Sequence, residues 1–141
     1  MTEFEIERKI TRYKNYIDSN NREIKKLHNQ LDELSYTKGK LNSSQNKFCD
    51  YLTAQKQTYQ RMRNNLQNNR FAVDFSVGML GCLGGTQANK AHENISTSIQ
   101  RVKNKINSIE NKVKELNNEN RRYRNIIEDL EYELRQLKMR G

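Results

Sequence analysis

The residues best suited to metal binding or catalysis are few and widely separated along this 141-residue chain. A metal site needs several histidine, cysteine or carboxylate ligands at defined spacing, and the candidates are His28, Cys49, Cys82 and His92. No two of them are close in the sequence, so no metal site and no cofactor is predicted. His92 continues an apolar helical stripe, which favours a role in a helix interface.

An acidic cluster at residues 128–133 offers carboxylates for acid–base chemistry. On a helix these side chains are distributed around the exposed side, next to arginines, which favours an ion-paired surface. The chain has no Gly-x-Gly-x-x-Gly, no phosphate-binding Gly-Lys-Ser/Thr and no nucleophile elbow. Because a two-helix hairpin also lacks a pocket that would desolvate a substrate, the sequence predicts a protein that is not an enzyme.

The composition is typical of long helices. The chain has no proline, no tryptophan and 33% hydrophobic residues, which is too little for a thick core but enough for one narrow stripe along a helix. We therefore expect a single elongated all-α unit over residues 1–141, a long antiparallel two-helix hairpin of coiled-coil type. The net charge of +9 is interpreted as a solvated face that could also match an acidic partner.

Two seven-residue repeats predict the two helices of the hairpin, at about 3–70 and 86–138. Apolar residues recur at two positions of each repeat, as in a coiled coil whose helices bury one stripe against each other. The residues predicted to form the centre of this seam are Ile17, Ile24, Leu27, Leu31, Leu34, Ile99, Val102, Ile106, Ile109, Val113 and Leu116.

Polar residues interrupt both stripes. In helix 1, Lys38, Gly39 and residues 42–45 replace large apolar side chains, so a hinge or short break is expected over 37–45. In helix 2 the interruption is Asn120. If the chain folds back at 78–82, the numbers of two facing residues add up to about 160. Asn120 then lies opposite the segment around Lys38, and a polar layer at this point would fix the register of the two helices.

Four of the six glycines lie in residues 71–86, together with the densest apolar cluster. Because glycine costs about 1 kcal/mol relative to alanine inside a helix, we predict that this segment is the tip where the chain turns. Its apolar side chains either close the end of the hairpin or form a contact surface for another protein. The predicted partner-binding residues are Phe71, Phe75, Met79, Leu80, Leu83 and Gly85.

The segment Leu83-Gly84-Gly85-Thr86-Gln87-Ala88 resembles the Trp-x-Gly-Thr-x-Ala pattern of the helical-hairpin proteins of type VII secretion. The likeness is greatest to the YwqH-like family associated with LXG toxins, in which a long helix with regularly spaced isoleucines follows. Two features depart from the family. Leu83 stands where the family has tryptophan, and no Tyr-x-x-x-Asp/Glu export signal follows helix 2.

The resemblance implies an accessory protein that binds the helical LXG region of a toxin and helps to present it for export. A second small helical accessory protein is a further partner that the resemblance implies. The alternative from the residues alone is a coiled-coil scaffold that self-associates as a homo-oligomer. A third interpretation, a basic coiled coil that binds nucleic acid, is disfavoured because the clusters at 61–63 and 121–124 lie too far apart to form one phosphate-binding groove.

The sequence also bears on location. The N-terminus has no apolar h-region of a cleaved signal peptide, and the apolar run 71–83 is shorter than the roughly 20 residues that cross a bilayer. We therefore expect no stable membrane insertion. Two cysteines without a disulfide framework favour synthesis in a reducing compartment, so a cytoplasmic location is expected. Co-export by the type VII route follows from the resemblance.

Overall fold

The computed structural model describes residues 1–141, which form three α-helices and no β-strand. The helices are α1 (Glu3–Asn65), α2 (Arg70–Leu83) and α3 (Thr86–Arg140). The predicted all-α class with helices packed as a hairpin is therefore confirmed.

The chain divides into two compact units, and α1 and α3 each contribute a segment to both. Unit 1 contains Met1–Glu33 and Lys105–Gly141, and unit 2 contains Leu34–Asn104. Within each unit the segment of α1 runs antiparallel to the segment of α3.

Helix α1 begins with a capping box. The Thr2 hydroxyl accepts the Glu5 N–H at 3.2 Å, and the Glu5 carboxylate accepts the Thr2 N–H at 3.2 Å, so two donors of the first turn are satisfied. The helix then continues to Asn65, so the break expected over 37–45 is absent and the predicted end at residue 70 is wrong. Gly39 keeps helical backbone and has open space around it, while Lys38 and Gln45 occupy the seam half-buried.

The chain reverses at residues 66–69, between α1 and α2. The Asn69 N–H donates to the Leu66 carbonyl at 2.9 Å, and the Asn69 side chain accepts the Ala72 N–H at 3.2 Å as the N-cap of α2. Beyond this turn, the Tyr59 ring of α1 lies 6.0 Å from the Phe75 ring of α2. The prediction that residues 71–86 form the turn is therefore wrong, because 71–83 are helical.

The register differs from the predicted one as a consequence. In unit 2, Gln45 Nε2 donates to Ser96 Oγ at 2.8 Å, and Cys49 Sγ lies 3.8 Å from His92 Nδ1. Facing residues therefore have numbers that total about 141 instead of 160. The chain turns about ten residues earlier than expected because the glycines of α2 do not end that helix.

The predicted seam residues of both helices are all buried or half-buried. The most buried among them are Leu27, Ile99, Ile109 and Val113, none more than 8% exposed. Unit 1 adds an apolar cluster near the chain ends, where four buried side chains pack together and Tyr13, Ile17, Leu134 and Leu137 pack against them. Its buried members are Ile6, Ile10, Ile127 and Leu130.

A polar layer interrupts the seam of unit 1 at Asn120, which is only 1% exposed. Asn20 Nδ2 donates to Asn120 Oδ1 at 2.9 Å and to Glu119 Oε1 at 3.1 Å, and Asn120 Nδ2 donates to Asn21 Oδ1 at 3.0 Å. Asn120 therefore meets polar partners, but they are Asn20 and Asn21, so its predicted position opposite Lys38 is wrong.

Glu119 and Tyr123 extend this layer to the surface. The Tyr123 hydroxyl donates to Glu119 Oε1 at 2.9 Å. Hydrogen bonds from Asn20 and then Tyr123 stabilise the carboxylate and lower the pKa of Glu119. The same bond raises the pKa of Tyr123, because the phenol must keep its proton to donate.

Candidate interaction surface

The side of α2 that faces the interior of unit 2 carries small side chains. Ala72 is 8% exposed and Ser76 is fully buried, and the Ser76 hydroxyl donates to the Ala72 carbonyl at 2.6 Å. Met79 and Leu83 continue this side and are half-buried. Small side chains allow a helix backbone to approach its neighbour closely, so α2 lies near the rest of unit 2. Of its two phenylalanines, only Phe75 packs partly against α1, through the Tyr59 ring.

The adjacent side of α2, about 100° around the helix from the small side chains, carries its phenylalanines. Phe71 is 79% exposed and Phe75 is 46% exposed, and their rings stack with centroids 6.3 Å apart. Gly78 and Cys82 follow on the same side and are exposed. We call Phe71, Phe75, Gly78 and Cys82 the outer stripe of α2.

The outer stripe has the spacing of a helix interface. Its members are separated by four, three and four residues, which places them on one line along the helix, as at the contact positions of paired helices. None of the four is charged. The seam between α1 and α3 shows the same spacing, but there the partner helix is present.

The six predicted partner-binding residues do not form one surface. Phe71 and Phe75 are exposed, whereas Met79, Leu80 and Leu83 are half-buried toward the interior of unit 2. The remaining residue, Gly85, is half-buried at the junction between α2 and α3. Periodicity alone cannot separate these two sets of residues, because the side of α2 that faces inward depends on where the chain turns.

The junction between α2 and α3 depends on Gly85. The Gly84 N–H donates to the Leu80 carbonyl at 3.1 Å, and the Gly85 N–H donates to the Cys82 carbonyl at 3.2 Å, which closes the last turn of α2. A Cβ atom on Gly85 would lie 3.1 Å from the Gly81 carbonyl oxygen, closer than side chains normally approach. This junction, which holds the segment Leu83–Ala88, is a break between consecutive helices and not the point at which the chain reverses.

One pair of chemically reactive side chains meets in unit 2, and the sequence analysis missed it. Cys49 and His92 are half-buried and lie 3.8 Å apart. The correct register would have found the pair, since their numbers total 141. A tetrahedral zinc site needs four ligands, and no group of three or more histidine, cysteine or carboxylate side chains converges anywhere in the chain.

None of the three helices combines the length and the apolar character that crossing a bilayer requires. Comparison of the chain with known protein families, with curated proteins and with solved structures found no match.

Proposed function

We propose that this protein is a non-enzymatic binding protein whose outer stripe on α2 docks against a helix of another protein. The observation that carries the proposal is the arrangement of side chains on α2, where Ala72 and Ser76 are buried while Phe71 is 79% exposed. A helix that served only to close the end of unit 2 would place its aromatic residues inside. Exposed aromatic residues in line with helical spacing are typical of a surface that a partner covers.

The two phenylalanines of the outer stripe contribute favourable energy when a partner covers them. Fully burying an exposed phenylalanine side chain contributes about 1.5–3 kcal/mol. Phe71, which is 79% exposed, can supply most of that value, and Phe75, which is 46% exposed, a smaller part. The stacked rings limit the number of conformations that must be ordered on binding. These two residues are therefore the expected anchors of the interface.

The specific form of the proposal is an accessory role in type VII secretion. The partner is then the helical LXG region of a toxin, which the protein binds in the cytoplasm and presents for export, with a second small helical protein as a further partner. The likeness of the sequence Leu83–Ala88 to the family motif supports this identification, although in this structure the segment joins α2 to α3 and does not form the turn between the antiparallel helices. The antiparallel pairing of the long helices in each unit is compatible with it.

The test compares two variants that each lose exposed aromatic area. Phe71→Ser combined with Phe75→Ser removes the anchors, whereas Phe4→Ser removes a phenylalanine in unit 1 that is 65% exposed. Affinity for the LXG region of a toxin encoded beside this protein is measured by calorimetric titration, and helicity by circular dichroism. The double variant should bind at least about tenfold more weakly, a difference of about 1.4 kcal/mol, while Phe4→Ser binds normally and both keep their helicity.

Two results would contradict this proposal. Normal binding by the folded double variant would show that the outer stripe is not the contact surface. A stable homodimer in light scattering that dissociates only in the double variant would show that a second copy covers the stripe, as expected of a self-associating scaffold.

A further inference from the structure

The positive charge of this protein is concentrated in the unit that carries the outer stripe. Unit 2 contains ten lysines and arginines against three acidic residues, a net charge of +7. Unit 1 contains sixteen basic against fourteen acidic residues, a net charge of +2. The excess is therefore a property of unit 2 and not of the long helices in general.

Basic side chains lie next to the exposed phenylalanines. Arg63 is exposed and lies one helical turn after Tyr59 on the same side of α1, and the Tyr59 ring contacts Phe75. Arg70 begins α2, directly before Phe71. Two exposed arginines, Arg63 and Arg70, thus lie close to the aromatic end of the outer stripe.

Only one carboxylate of α2 opposes these arginines. Asp74 lies 3.9 Å from Arg70 Nε, and their side chains are 73% and 96% exposed. Such exposed pairs are weak and exchange readily with water, so Arg70 can still engage a carboxylate of another molecule. The surface around the phenylalanines is apolar in its centre and positive at its margin.

We propose that the outer stripe binds an amphipathic helix whose apolar face is flanked by glutamate and aspartate side chains. This inference rests on the proposed function and defines the chemistry of the partner. Carboxylates on both sides of an apolar ridge would meet Arg63 and Arg70 while the ridge covers Phe71 and Phe75. Charge complementarity of this kind sets partner choice and association rate more than total affinity.

A helix fits the outer stripe better than an anionic membrane surface does. The stripe extends over about 16 Å, and its second half is formed by Gly78 and Cys82, whose small side chains let another backbone come close. Binding to a membrane surface scales with the apolar area inserted, and glycine adds almost none. The arrangement therefore favours close helix packing.

The experiment uses two synthetic helical peptides of about 20 residues with identical leucine stripes. One carries glutamates beside the stripe and the other carries lysines, and anionic vesicles of phosphatidylglycerol and phosphatidylcholine form a third ligand. Fluorescence anisotropy should show that the full chain binds the glutamate peptide about tenfold more tightly than the lysine peptide. This preference should shrink when the salt concentration rises from about 0.1 M to about 1 M.

A charge-reversal variant and a matched control locate the effect. Arg63→Glu and Arg70→Glu together should reverse the preference between the two peptides. A control with the same net charge reverses two exposed residues elsewhere in unit 2 and should keep the wild-type preference. Its substitutions are Lys47→Glu and Arg101→Glu.

The inference is overturned if the glutamate peptide does not bind, if both peptides bind equally, or if charge reversal at residues 63 and 70 has no effect. Tighter binding to the vesicles than to either peptide would overturn it in favour of a lipid surface. The variant with serine at both Phe71 and Phe75 distinguishes an error in the acidic partner from an error in the docking surface itself. If both peptides bind equally and the double variant binds neither, the apolar docking surface stands and only the acidic partner is wrong.

Discussion

The polar layer of unit 1 makes a quantitative prediction for Asn120→Ala. The side chain of Asn120 is 1% exposed and joins Asn20 and Asn21 through hydrogen bonds of 2.9 and 3.0 Å. Each bond contributes about 0.5–1.5 kcal/mol to stability. Asn21 is exposed and can bond water instead, and Asn20 keeps its bond to Glu119, so few groups are left unsatisfied. We expect a loss of about 1–3 kcal/mol in the free energy of unfolding.

The assay is urea denaturation followed by circular dichroism, with Asn117→Ala as the matched control. Asn117 is an exposed asparagine on the same helix, and its replacement should change stability by less than about 0.5 kcal/mol. If Asn120→Ala is no more destabilising than Asn117→Ala, the hydrogen bonds of the layer do not stabilise the fold.

The same layer should also fix the register of α1 against α3. Replacing Asn20 and Asn120 together with leucine removes the polar groups from both sides, so stability should stay near the wild-type value or rise. An apolar layer no longer distinguishes one register from another, as in coiled coils that lose a buried asparagine. Sedimentation equilibrium should then show larger oligomers, and a variant of wild-type stoichiometry would refute the role in register.

The remaining predictions concern glycines, the seam and pH. Gly85→Ala should destabilise the junction of α2 and α3, because its Cβ would lie 3.1 Å from a carbonyl oxygen, whereas Gly78→Ala has open space and should gain up to about 1 kcal/mol in thermal melts. Ile109→Asp should lose several kcal/mol because Ile109 is 4% exposed, while Asn111→Asp on the exposed side should change little in the same melts. Because the pKa of Glu119 is lower in the folded state, its contribution to stability is present near neutral pH and is lost as pH falls through the folded pKa. Glu119→Gln should therefore lose less stability on acidification in urea melts at a series of pH values.

The helical class and the seam positions followed from the sequence because both depend on local periodicity. Apolar residues every three or four positions place one stripe on each helix, and residues such as Ile109 and Val113 are buried at the positions that this period gives. Periodicity does not show which residue of α1 faces which residue of α3. The register depends on the position of the turn, and the glycine pattern predicts that turn about ten residues too late.

Helix propensity alone predicts the turn in the wrong place, because the low propensity of glycine takes no account of tertiary packing. Gly78 and Gly81 cost about 1 kcal/mol each in an isolated helix, but the buried inner side of α2 offsets that cost. The actual turn is marked by Asn69, whose side chain caps α2. An N-cap asparagine before an apolar run is a signal that the sequence carried.

The early turn explains why α2 presents its phenylalanines outward. Once the chain reverses at residues 66–69, α2 must pack along the end of α1, and Ala72 and Ser76 are the residues that face inward. Their small size brings the helix close but buries little apolar area. Phe71, which is 79% exposed, leaves most of its apolar area unburied within the chain, and Phe75, which is 46% exposed and contacts the Tyr59 ring, leaves part of it. Fully burying a phenylalanine side chain contributes about 1.5–3 kcal/mol, so a molecule that covers the outer stripe gains the part of that stabilisation that the fold does not use.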